Sequence, residues 1–186
     1  LAREMSCPIL DIDHLSSTIG KSVWLDQSQW NLAKLPFNLD FTPLYADHVV
    51  RVLAATQGLS KKCLVLDLDN TLWGGIVGDD GVDNVKIGQG DAQSEAYTQL
   101  QKYILGLKNR GIILAVCSKN EEDIAKRPFL EREEMILPLT DIAIFKANWN
   151  DKASNIKEIS ERLNIGIESM GFLDDNPVER DFVRQS

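Results

Sequence analysis

The most informative stretch of the chain lies at residues 62–75 and reads Lys62-Cys63-Leu64-Val65-Leu66-Asp67-Leu68-Asp69-Asn70-Thr71-Leu72-Trp73-Gly74-Gly75. Its apolar run, 63–66, is too short for a helix and rich in branched residues, which predicts a buried strand. Asp67 and Asp69 follow directly. Because parallel strands place function at their carboxyl ends, we expect both aspartates at a functional site. Two solvated carboxylates in a turn would give the same short pattern.

Length and composition exclude several classes of protein. The 186 residues suffice for a domain with its own core, and 44% hydrophobic with 26% charged residues indicates a globular chain. A net charge of −8 argues against a nucleic-acid partner, which would need a basic patch. No apolar stretch of about 20 residues predicts a membrane span. The odd number of cysteines fits no disulfide framework, so a reducing cytoplasm is the expected location. The start at Leu1 suggests a piece of something longer.

Strands alternate with helices after residue 58. The pattern predicts further buried strands over 112–117, 142–145 and 170–173, and helices over about 92–109, over 121–140 with an interruption at Pro128, from Asn150 or Asp151, and from Asn176. Such alternation predicts an α/β fold with a parallel sheet. Between Trp73 and Gly81, glycines and an Asp-Gly pair predict a short hairpin. This flap leaves no room for a large inserted cap domain.

The segment before the first predicted strand has neither an internal repeat nor a low-complexity run. Residues 1–42 are aromatic and rich in turns. A helix is expected from a Thr42 cap, with Pro43 at its first position, to Gly58. Asp11 and His14 have the spacing found in the triad of SGNH-type esterases, but no Gly-Asp-Ser nucleophile motif accompanies them.

The predicted strand ends bring a set of polar side chains to one edge of the sheet. The set comprises Asp67, Asp69, Ser118, Lys152, Asp174 and Asp175. Close carboxylate pairs repel by about 4 kcal/mol at 4 Å with an effective dielectric near 20. A divalent, oxygen-seeking cation such as Mg²⁺ relieves that repulsion. A lysine in the first turn of a helix opposes the helix dipole, which makes sense if it meets a bound anion, although a solvated lysine there would be unremarkable.

The chain resembles the haloacid dehalogenase (HAD) superfamily of phosphoryl-transfer enzymes over residues 62–184. The resemblance lies in D-x-D-N-T-L-W-G-G after a strand, Ser118 after the second strand, Lys152 at a helix start and Asp174-Asp175 after the last strand. It implies a HAD-type Rossmannoid parallel sheet with helices on both faces and a minimal, flap-only cap. Asp67 would be the nucleophile and Asp69 the general acid and base. Ser118 and Lys152 would bind phosphoryl oxygens. Asp67, the Asp69 carbonyl, Asp174 and Asp175 would hold Mg²⁺.

Longer strings resemble the FkbH-like branch of that superfamily. They are Lys62–Gly75, Val-Cys-Ser-Lys-Asn at 116–120, Ala-Asn-Trp-Asn-Asp-Lys at 147–152 and Phe-Leu-Asp-Asp-Asn-Pro-Val-Glu-Arg at 172–180. This implies removal of phosphate from a phosphorylated glycerate, 1,3-bisphosphoglycerate, and loading of the glyceryl unit onto an acyl carrier protein thiol in polyketide biosynthesis. Residues 1–58 would be a linker with a helix or the tail of an upstream SGNH-like domain. Residues 59–186 would be the catalytic domain, truncated at its C-terminal end.

Acyl transfer needs a thiolate, and Cys117 is the candidate. It ends the second predicted strand, whereas Cys63 lies at the far end of its strand and Cys7 lies outside the motifs. The prediction requires the strand to end at Cys117, because adjacent strand residues face opposite sides. The alternative is a buried, inert thiol. Other functions left open are a plain phosphatase acting on a phosphoprotein or small phosphate ester, and a non-catalytic module that docks a carrier protein. A two-component receiver domain has its acids in a different order.

Overall fold

A computed structural model describes residues 8–186, so Cys7 lies outside the described residues. The chain divides into two compact units, one ending at Ser60 and one comprising Lys61–Ser186. The first unit contains helices α1 (Ile12–Ile19), α2 (Lys21–Trp24), α3 (Gln27–Ala33) and α4 (Thr42–Thr56), with a 3-10 turn at Leu39–Phe41.

Aromatic packing holds the first unit together. Trp24 is buried, and its ring stacks on Phe37 and Phe41 at centroid distances of 4.9 and 5.6 Å. Asp11, which the sequence paired with a possible esterase histidine, instead caps α1 by accepting from the backbone N–H of His14. Thr42 is the first residue of α4 and not its cap, because the preceding 3-10 turn runs directly into the helix.

The second unit is built on a parallel sheet of strands β1 (Cys63–Leu66), β2 (Ile113–Ser118), β3 (Ile142–Ala147) and β4 (Met170–Leu173), in the order β3-β2-β1-β4. All four carboxyl ends lie at one edge of the sheet. The predicted α/β fold is confirmed. The bounds of β1 and β4 are those expected from the apolar runs.

Helices cover both faces of this sheet. They are α5 (Val77–Asp80), α6 (Ala92–Asn109), α7 (Glu122–Glu131), α8 (Lys152–Leu163) and α9 (Pro177–Gln185), with 3-10 turns at Val82–Asn84, Leu139–Asp141 and Ile167–Ser169. Alternate strand residues enter two separate cores. Leu66 and Val116 pack with Ile104 of α6, whereas Val65 and Cys117 pack in the other core, with Ile159 of α8 among its members.

Three local expectations are wrong. The hairpin after Trp73 is instead the short helix α5, whose first turn is closed by Asp80 accepting from the Ile76 N–H at 2.8 Å. Gly74 and Lys86 pair in an isolated antiparallel bridge, and they close what we call the flap, residues 74–86. Pro128 lies inside α7 without interrupting it, although proline removes one backbone hydrogen bond, and the helix ends at Glu131, so residues 132–140 are not the helical stretch that the sequence predicted.

The third wrong expectation concerns the end of β2. The strand continues through Ser118, which pairs with Ala147 of β3, so the chain does not turn at Cys117. Within residues 8–186, none of the helices has the length and apolar character needed to cross a membrane.

Candidate active site

A buried lysine joins two of the strand ends. Asp67 follows β1 and Asp174 follows β4, and these neighbouring strands bring the two carboxylates together. Lys152 Nζ lies 3.0 Å from Asp67 Oδ1 and 2.6 Å from Asp174 Oδ2. All three residues are at most 6% exposed. Lys152 is the first residue of α8, which Asp151 caps as expected, so the helix start positions the ammonium at the sheet edge.

The electrostatics of this group favour an additional cation. Burial raises the pKa of Asp67 above its ordinary value, while the charge of Lys152 opposes that shift. Burial alone would lower the pKa of Lys152, but Asp67 and Asp174 together raise it. Oxygens of Asp67, Asp174 and the exposed Asp175 all lie within 4.8 Å of one another. Three carboxylates against one ammonium leave excess negative charge, and hard oxygen donors are what Mg²⁺ takes. The residues present therefore fit a divalent cation.

Asp69 is held by a different set of donors. Its Oδ1 accepts from Trp73 Nε1 at 2.9 Å and from the Val77 N–H of the flap at 3.0 Å, and its Oδ2 accepts from Asn120 Nδ2 at 2.9 Å. Burial raises the pKa of Asp69, and these three hydrogen bonds oppose the shift. Its side chain is not among the three that converge as metal ligands. The structure therefore brings Asp69 to the same cleft but fixes it on the flap side.

Ser118 and Cys117 lie next to each other but have different surroundings. Ser118 is buried at the end of β2, and hydrogen bonding from its hydroxyl contributes to lowering the pKa of Asp67, against the effect of burial. Cys117 is fully buried, packs with the core on the α8 side, and its Sγ lies 3.8 Å from the Lys152 carbonyl oxygen. Burial raises the pKa of Cys117 to about 12. The condition set for its role as acyl acceptor, a strand ending at Cys117, is not met.

Sequence reasoning missed several residues that shape the site. Asn120 positions Asp69, and the Thr71 hydroxyl accepts from the Asp175 N–H at 3.1 Å. Arg180 of α9 donates to the carbonyl oxygens of Asp174 and Asp175 at 2.6 and 2.9 Å. The D-x-D-N-T string contained a signal for Thr71. Arg180 lies one helical turn after the expected cap of α9, but nothing in the pattern indicated its target.

The site opens into a cleft of about 340 Å³ at the carboxyl edge of the sheet. Its floor contains Asp67, Lys152 and Asp174, which are buried, and its mouth contains more exposed side chains. The lining residues are Asp67, Asp69, Asn70, Ile76, Asp79, Lys119, Trp149, Lys152, Asp174, Asp175, Asn176 and Glu179. The cleft therefore combines a buried carboxylate at a strand end, a buried lysine ammonium and a cluster of three carboxylates in one place.

Among solved structures, the chain matches the N-terminal part of the protein BF1531 from Bacteroides fragilis, which contains a phosphatase domain and was crystallised in complex with Mg. The chain is similar to a magnesium-bound phosphatase domain. The identity is 49%, the TM-score is 0.84, and the match covers 92% of this chain. The match covers 46% of that crystallised chain, so this chain spans about half its length. No protein-family model and no curated protein matches.

Proposed function

We propose that the chain is a Mg²⁺-dependent phosphatase of the HAD type. The observation that carries the proposal is the contact of Asp67, at the end of β1, with Lys152 and Asp174 in a buried cluster that also offers Asp175 to a cation. Similarity to a phosphatase domain crystallised with Mg supports the same chemistry.

The side chains divide the reaction between them. An Asp67 carboxylate oxygen attacks phosphorus, and the bond to the leaving oxygen breaks as that oxygen takes a proton from Asp69. Asp69 then removes a proton from water, which attacks the aspartyl phosphate and releases inorganic phosphate. Lys152 and Ser118 hold the transferring oxygens. A Mg²⁺ ion held by Asp67, Asp174 and Asp175, together with the Asp69 carbonyl, would neutralise the charge of the phosphoryl group.

A phosphate-release assay tests this proposal. Aryl and alkyl phosphomonoesters are incubated with the protein and Mg²⁺, and released phosphate is measured with and without a chelator. We expect release that requires the metal and is lost in Asp67→Asn. Release that persists after chelation and in Asp67→Asn would overturn the proposal. A non-catalytic docking module would not need the buried charges of Asp67, Lys152 and Asp174. Burying these charges carries a desolvation penalty that reduces the stability of the fold.

A narrower proposal follows from the FkbH-like sequence strings. The substrate would be 1,3-bisphosphoglycerate in the cytoplasm. The pantetheine thiol of an acyl carrier protein would lose its proton and attack the acyl carbon, and the 1-phosphate would leave as inorganic phosphate. Hydrolysis of the remaining 3-phosphate ester at Asp67 and Asp69 would then leave a glyceryl thioester on the carrier. The short flap, which leaves the cleft open to a long arm, supports this idea. Because Cys117 faces the core, direct attack by the carrier's own thiol is the simpler route. Intact-mass measurement of the carrier after incubation should show a glyceryl thioester, and free pantetheine should be a much poorer acceptor. A carrier of unchanged mass, or equal efficiency on both acceptors, would contradict it.

A further inference from the structure

Trp149 lies at the mouth of the cleft with its indole ring largely in solvent. It follows β3, three residues before Lys152, and is 68% exposed. A single exposed apolar residue is ordinary on a protein surface and assigns no role by itself. Two further observations distinguish Trp149 from such a residue: it lines the same cleft as Asp67 and Lys152, and hydrogen bonds hold its ring and its loop in place.

The loop that carries Trp149 is fixed on both sides. The Asn148 N–H donates to the Ser118 carbonyl oxygen at 3.1 Å. Asn148 Oδ1 accepts from the Asn150 N–H at 3.0 Å and from Asn155 Nδ2 at 2.8 Å. The indole Nε1 of Trp149 donates to Glu121 Oε1 at 2.9 Å. The ring is therefore held before a ligand arrives, and less side-chain freedom remains to be lost on binding.

The other lining residues of the mouth include an apolar side chain and acidic ones. Ile76 of the flap is 44% exposed and lines the same cleft. Asp79 and Glu179 add negative charge, and Lys119 forms an ion pair with Glu179 at 2.5 Å. Among the described residues that line the cleft, no lysine is left unpaired to receive a second anionic group of the substrate.

We propose that Trp149, together with Ile76, binds the apolar body of the leaving group, so that the preferred substrates are phosphate esters of uncharged, carbon-rich groups. This inference rests on the proposed phosphatase function. Asp67 and Lys152 bind the phosphoryl group at the floor, and Trp149 recognises what is attached to it. Under the narrower proposal, the ester hydrolysed at Asp67 is that of the phosphoglyceryl thioester already formed on the carrier. Its leaving group carries no second phosphate, and the uncharged chain of the carrier's pantetheine would lie against Trp149.

Two phosphonates separate recognition of the phosphoryl group from recognition of the leaving group. Methylphosphonate and benzylphosphonate are titrated calorimetrically into the protein with saturating Mg²⁺. We expect benzylphosphonate to bind the wild type about fivefold to tenfold more tightly, as an added aromatic contact provides. That ratio should fall to about one in Trp149→Ala and be largely kept in Trp149→Phe. Tyr103→Ala is the matched control, because Tyr103 is similarly exposed at 63% but does not line the cleft.

The outcomes distinguish the two proposals. If methylphosphonate binds but the benzyl group adds no affinity, or if its gain survives in Trp149→Ala, the inference about Trp149 is wrong while the phosphatase proposal stands. If methylphosphonate fails to bind and Asp67→Asn leaves phosphate release unchanged, the phosphatase proposal is wrong. The inference about Trp149, which rests on it, is then wrong as well. The circular dichroism spectrum of Trp149→Ala should match that of the wild type. A fall in the affinity ratio of the two phosphonates can then be attributed to loss of the indole ring and not to unfolding.

Discussion

Lys152 is the residue on which the balance of charge at the site depends. Its ammonium touches both Asp67 and Asp174 in a buried setting. Replacing Lys152 with Met leaves two carboxylates close together without a partner, so we expect a loss of about 3–5 kcal/mol in the free energy of unfolding without Mg²⁺. Urea denaturation measures the change. Lys157→Met, at an exposed position of the same helix, is the control, and equal losses in both variants would contradict the ion-pair argument.

Asp67 is the proposed nucleophile, and an amide in its place is a poor one. Asp67→Asn also removes a charge from the cation cluster, so phosphate release should fall by at least about a thousandfold. The assay follows release with Mg²⁺ present. Asp123→Asn changes an acid in the first turn of α7 and should leave turnover unchanged. Turnover near that of the wild type in Asp67→Asn would remove Asp67 from the mechanism.

Cys117 is a core residue by every contact in the structure. Because burial raises the pKa of its thiol to about 12 from an ordinary 9.0, the thiolate that iodoacetamide attacks is scarce at pH 8. In a Cys7→Ser background, native protein should be labelled at Cys117 far more slowly than urea-unfolded protein, as peptide mass spectrometry can show. The raised pKa also means that this thiol's contribution to stability is present below pH 9 and is lost as the pH rises towards 12. Rapid native labelling would restore Cys117 as a candidate acyl acceptor.

The conformation at the start of the flap depends on Gly75. Gly75 has φ +94°, and a Cβ there would lie 2.7 Å from Asp80 Oδ2, the oxygen that accepts from the Ile76 N–H. Gly75→Ala should therefore cost about 1–3 kcal/mol of unfolding free energy. It should also reduce phosphatase activity, since the Val77 N–H of the flap binds Asp69.

A second glycine, Gly106, provides a control for which replacement by alanine should change the unfolding free energy in the opposite direction. Gly106 lies inside α6, and a Cβ there would meet nothing within 4 Å. Gly106→Ala should stabilise the protein by about 0.5–1 kcal/mol, because alanine loses less backbone freedom in a helix. Urea denaturation of both variants gives the comparison. Shifts of the same sign would mean that the backbone at Gly75 is not strained by a side chain.

For helices and strands, the sequence predicted those elements that have a regular pattern of apolar residues. The apolar runs of β1 and β4 and the stripe of α6 were sufficient to place those elements within a residue or so. Helix α5 has only four residues, and a hydrogen bond to the Asp80 side chain closes its first turn. So short a helix leaves no periodic pattern of apolar residues in the sequence. The end of β2 depends on pairing of Ser118 with Ala147 of β3, a tertiary contact that the apolar run could not indicate.

The same distinction holds for the site. Residues directly after strands, such as Asp67 and Asp174, could be predicted because topology places strand ends together. Asn120 and Arg180 could not, because their partners lie on other loops and are found only by distance in the folded chain. The metal-binding and catalytic roles of the predicted residues stay predictions.

In the whole molecule, the fold concentrates negative charge that the sequence spreads out. The chain has a net charge of −8, and the sheet brings Asp67 to Asp174 and Asp175 across more than half of the chain's length. Folding therefore works against carboxylate repulsion at the edge of the sheet, which Lys152 offsets only in part. A cation that binds the native cluster and not the unfolded chain should stabilise the whole molecule.

Mg²⁺ should accordingly raise the melting temperature of the wild type, by the equivalent of about 2.7 kcal/mol at a concentration 100 times its dissociation constant. Asp174→Ala and Asp175→Ala should weaken the shift, because each removes one of the three converging carboxylates. Asp79→Ala should retain it, since Asp79 lines the cleft without belonging to that group. Thermal melts with Mg²⁺, and with KCl at equal ionic strength, separate binding from screening. An undiminished Mg²⁺ response in Asp174→Ala would place the ion elsewhere, and an equal response to KCl would mean that no specific site exists.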